Sequence, residues 1–74
     1  MNENKILEAL SEAISKDILR YLKEGIIKKE DMDVFASGYT LGCAKILIVH
    51  NTINVTEALE IGKLIADKLK KAID

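Results

Sequence analysis

Between Asp33 and His50 the chain carries a single formal charge, Lys45. This segment limits the fold more than any other. A helix that is apolar on nearly every side must be buried on most sides. The segment contains Gly38 and Gly42, and there is no proline anywhere in the 74 residues, so nothing forbids one continuous helix.

The rest of the chain is also helical in pattern. Apolar residues at positions 6, 7, 10, 13, 14, 18, 21 and 22 recur at helical spacing and predict a first helix over 4–24. Asn2 or Asn4 is its expected N-cap. Gly25 follows it, where a left-handed residue ends a helix at little cost, and Ile26 is expected to close that cap against the helix. The second helix is predicted over 28–50. Glu30, Asp31 and Asp33 suit its positive N-terminal end, and Asn51 suits its left-handed exit. The third is predicted over 54–73. Asn54 and Glu57 occupy the two positions of a capping box, and Val55, Ala58, Gly62, Ile65, Leu69 and Ile73 define its expected inward face.

Short turns make neighbouring helices antiparallel. The expected architecture is therefore all-α: a single domain over 1–74, an up-down-up three-helix bundle with the apolar second helix at its centre. The turn between the second and third helices sets Gly42 opposite Gly62. With Gly38 and Ala58 these small residues are the expected helix crossing, because two mid-helix glycines cost about 1 kcal/mol each against alanine and close backbone approach would offset that.

A chain this short buries only about 60% of its unfolded surface. One cysteine cannot form an internal disulfide, and one histidine with one cysteine cannot make a structural zinc site. Oligomerisation is the remaining way to stabilise it. With 49% apolar residues the chain is expected to pair with itself, as a homodimer or larger. The lone Cys43 and the lack of a basic start followed by an apolar stretch point to the cytoplasm.

Charge and motifs narrow the function. Eleven basic residues are balanced by twelve acidic ones, which argues against a nucleic-acid partner. The start of the third helix, where a helix-turn-helix protein would read DNA, carries Glu57 and Glu60. A membrane span wants about 20 apolar residues, and Lys45 interrupts the only candidate. No catalytic constellation, cofactor motif or metal-ligand set is present, so the chain reads as a non-enzyme.

Two charges break the apolar stripes. Asp17 falls among Leu10, Ala13, Ile14 and Tyr21, and needs a partner such as Ser37, Thr40 or a tyrosine hydroxyl. Lys45 falls among Val34, Gly38, Leu41 and Val49. It either reaches the rim with its stem buried, pairs with a carboxylate of another subunit or contacts an anionic ligand, and within the chain it is expected near Glu8 or the start of the third helix. His50 suits the negative end of the second helix. The preferred reading is a small interaction module, a regulator or inhibitor that docks onto a protein partner. The competing reading is an oligomer that binds a small anion at a subunit interface lined by Lys45, Asp17, Tyr39 and His50.

Overall fold

The computed structural model describes residues 3–73. Its helices are α1 (Glu3–Lys23), α2 (Met32–Val49) and α3 (Val55–Ile73), with a 3-10 turn at Lys29–Asp31. No strand occurs among the described residues. The radius of gyration is 12.2 Å. Of the expected N-caps of α1, Asn2 lies outside the described residues, and Asn4 falls inside the helix, which already includes Glu3.

The helix ends follow from local chemistry. At the end of α1, Gly25 adopts φ 77°. The Ile26 N–H donates to the Tyr21 carbonyl at 2.9 Å and the Gly25 N–H donates to that of Leu22 at 3.2 Å. These two bonds define a Schellman cap. Asn51 repeats the device after α2, with φ 58° and bonds from Thr52 to Leu47 and from Asn51 to Ile48. Ile26 does not close the first cap: it is 62% exposed, and Ile27 packs on the core instead. The left-handed turn at Gly25 reverses the chain so that only the second isoleucine reaches inward.

The start of α3 is a complete capping box. The Glu57 N–H donates to Asn54 Oδ1 at 2.8 Å, and the Asn54 N–H donates to Glu57 Oε1 at 3.0 Å. Asn54→Ala removes the side-chain acceptor for the Glu57 N–H and keeps the backbone donor to Glu57, so thermal or urea unfolding should show a loss of about 1 kcal/mol.

The core is formed mainly by α1 and α3. Leu7, Ile14 and Ile18 of α1 and Ile61, Ile65 and Leu69 of α3 are buried, with Ile53 from the preceding loop. Ser11 and Ser15 lie buried in the same α1 stripe. The Ser11 hydroxyl donates to the Leu7 carbonyl at 2.7 Å, whereas the Ser15 hydroxyl has no partner. The inward face of α3 is turned toward Ile61 relative to the face expected from sequence. Val55, expected inward, is 63% exposed.

The second helix is not central. Its buried residues are Met32, Ala36, Thr40 and Ala44, a narrow and mostly small stripe at four-residue spacing. Val34, Leu41, Ile46 and Val49 are 62–78% exposed. The physical reason is that a 74-residue chain has one interior, and the long branched side chains of α1 and α3 fill it. A helix without a polar face then has no way to hide its second apolar side. The close crossing expected at Gly42 and Gly62 is also absent within the chain. Beyond its chain neighbours and the local helix backbone, no atom lies within 4 Å of where a Cβ would sit on Gly38, Gly42 or Gly62.

Candidate functional site

An aromatic cluster joins α1 to α2. Tyr21 meets Phe35 edge-on at 5.9 Å and Tyr39 at 6.5 Å between centroids. Beside it, the Tyr39 hydroxyl donates to Asp17 Oδ2 at 2.7 Å. Of the partners weighed for Asp17, the structure selects the tyrosine hydroxyl. Arg20 approaches the other carboxylate oxygen at 3.6 Å and lies 5.2 Å above the Tyr21 ring.

The hydrogen bond to Asp17, followed by burial, pushes the Tyr39 phenol up to about 12. The unfolded chain gives up this proton nearer 10. The contribution to stability is therefore complete below pH 10 and is lost as pH rises toward 12. The free energy of unfolding, measured across that window, should fall less steeply for Tyr39→Phe than for the parent.

Lys45 is exposed and forms no ion pair with the described residues. Glu8, one of its expected neighbours, is taken by Lys68 at 2.8 Å, with Glu12 at 3.2 Å from the same ammonium. The hydrogen bonds to Glu8 and then Glu12 hold the Lys68 pKa above its ordinary value. This α1–α3 bridge was not foreseen from sequence. It links residues 60 apart, and no local spacing signals such a pair.

His50 caps the end of α2, exposed. Asp17 and Tyr39 are thus together on the α1 side of α2. Lys45 stands on the α3 side, and His50 lines neither of the cavities there. The four do not converge on one pocket in a single chain.

A trough runs between α2 and α3. Its larger chamber, of about 810 Å³, has Ala36, Thr40, Ile65 and Leu69 among its lining residues, with Lys29, Asp33 and Lys70 as its charged members. A second chamber of about 340 Å³ runs toward Lys45, Ile48, Val49 and Val55. Thr40, Leu41, Ala58 and Leu59 line both, so the two form one continuous apolar channel open to solvent. Ala58 and Gly62 from the expected crossing line it. Gly38 and Gly42 do not; they lie further round α2, on its outer side.

Thr40 and Ser37 are the only hydroxyls lining this trough. Among the described residues, no group of three or more His, Cys, Asp or Glu side chains could hold a metal ion. By length and composition alone the stretch Lys29–Val49 is long and apolar enough to cross a membrane, with 17% of its most apolar window buried. Comparison with protein-family models, curated proteins and solved structures gives no match.

Proposed function

We propose that this chain is a non-enzymatic helical interaction module, a small regulator or inhibitor that works by docking onto another protein. It also self-associates through its apolar helix faces. The observation that carries this reading is the α2–α3 trough, with Leu41 70% and Leu59 66% exposed where its two chambers meet. A channel walled by two helices and lined by alanine, glycine and leucine fits the apolar face of a third helix, the helix-in-groove mode of recognition. The free Cys43 suits a reducing cytoplasm.

The architecture proposed for the module is an up-down-up bundle with α2 outermost. Supporting it, Tyr21 meets Phe35 while Asp17 meets Tyr39, so positions rise along α1 as they fall along α2. Lys68 near the end of α3 likewise meets Glu8 near the start of α1.

A second reading has one observation in its favour. Lys45 stands unpaired beside the smaller chamber, where an assembled oligomer would offer a cation to a small anionic ligand. Thermal shift against nucleotides and other small anions separates the two. The docking module gives no stabilisation with any of them. A stabilisation abolished by Lys45→Ala overturns the docking reading in favour of the ligand.

A further inference from the structure

We infer that the α2–α3 trough takes an amphipathic helix of a partner protein, one whose apolar stripe is flanked by carboxylates. This rests on the docking reading above and states the chemistry of the partner.

The first argument is shape. Small residues line the trough from both helices: Ala36 and Thr40 are buried, Ala58 and Gly62 half-buried. Leu41 and Leu59, one from each wall, stand out to solvent. The lining runs from Asp33 to Val49 along α2 and from Val55 to Ile73 along α3, about 24–27 Å by helical rise. A straight helix of about 16–18 residues spans that length. Because the trough is concave, a flat lipid surface reaches its rims and not its floor.

The second argument is charge. The charged residues of the lining are Lys29, Asp33 and Lys70 in the larger chamber and Lys45 in the smaller. Cations outnumber the one carboxylate there, although the chain as a whole carries -1. Every ion pair among the described residues involves α1: Lys16 and Arg20 pair within it, and Lys68 reaches it from α3. The three lysines of the trough pair with none of the described residues. Glu30, Asp31 and Asp67, close in sequence to Lys29 and Lys70, line neither chamber. An apolar channel with an unpaired cation in each chamber is complementary to a helix that carries carboxylates toward both of its ends.

The same charges rank the occupants. A second copy brings the same three lysines and one aspartate to the contact, so self-association through the trough sets two cationic linings together. An acidic helix neutralises the lining instead. The two compete for one surface, and the acidic helix is the tighter occupant. Three exposed ion pairs are together worth about tenfold in affinity.

The test uses two synthetic peptides of about 18 residues that share one leucine stripe at helical spacing. One carries glutamates toward both ends, the other lysines. Fluorescence anisotropy with the full chain should show the glutamate peptide binding at least about tenfold tighter, with the difference shrinking as salt is raised. The triple variant Lys29→Glu, Lys45→Glu and Lys70→Glu should keep the parent's helical circular dichroism, because all three side chains are exposed, and should prefer the lysine peptide. Lys45→Gln alone should narrow the parent's preference. In sedimentation, saturating glutamate peptide should leave single chains, each with one peptide; chains that stay paired with peptide bound overturn the shared surface. Equal binding of the two peptides, or a preference that the triple variant keeps, overturns the acidic partner and leaves the docking reading standing. Binding of neither peptide overturns a helix as the occupant, and the docking reading is then judged by the anion panel. Binding to phosphatidylglycerol vesicles in place of either peptide assigns the trough to a lipid surface and overturns the proposal.

Discussion

Ile61→Ala should sharply lower the melting temperature of the isolated chain. Ile61 is 1% exposed and Ile18, a second fully buried isoleucine of the core, is 0%. Truncating a buried isoleucine to alanine costs about 2–5 kcal/mol, through lost transfer energy and the cavity left behind. A 74-residue domain has only about 4–11 kcal/mol in total. A loss of ~3 kcal/mol lowers the melting temperature of a domain this size by roughly 10–25 °C. The position gains extra leverage because α1 and α3 carry the core while α2 contributes mostly small residues to it. Val34→Ala, at a position 78% exposed, should change the monomer's own stability by no more than about 0.5 kcal/mol. Melting curves of the two variants compare the inner and outer sides of the bundle directly.

The second large effect is on association. Leu41→Glu combined with Leu59→Glu should leave the fold intact and abolish assembly. Both leucines are largely exposed, so the chain's own interior loses little when they change. In the proposed self-association through the trough, four leucines per two-chain assembly are removed and four carboxylates must be buried. Lost apolar burial alone is on the order of 4 kcal/mol, a weakening of about a thousandfold in Kd, and charge burial adds to it. Far-ultraviolet circular dichroism should match the parent while sedimentation shows single chains. A double variant that associates like the parent would place the docking surface elsewhere.

The ends of α1 and α2 and the start of α3 were legible in the sequence because each is written in a few adjacent residues, whereas α2 begins at Met32, after a 3-10 turn at Lys29–Asp31, and not at residue 28. Gly25, Asn51 and the Asn54–Glu57 pair supply the conformations and hydrogen bonds expected of them. The facing of α2 was not legible. Periodicity locates a buried side only when a polar side marks the opposite one, and α2 has no polar side to mark it. Its inward stripe is chosen by fit, with small residues admitted beside the isoleucines of α1 and α3. Ser11 and Ser15 were missed as core for a related reason: a serine can spend its hydroxyl on the preceding turn of its own helix, as Ser11 does, and polarity then ceases to mark exposure. The Asp17 environment was partly legible. Its need for a donor followed from its apolar neighbours, while the choice of Tyr39 over Ser37 or Thr40 depended on how α1 and α2 pack. Lys68, Glu8 and Glu12 gave no local sign, since they meet only after α1 and α3 have come together.

In the proposed function another polypeptide covers the α2–α3 face when the protein is at work. A photo-crosslinking residue placed at Leu41 in expressing cells reports this directly, with Lys16, exposed on α1, as the reference position. The account predicts a product of two copies of the chain from Leu41 and none from Lys16. A Leu41 probe that yields no protein adduct, or only a lipid adduct, would contradict it.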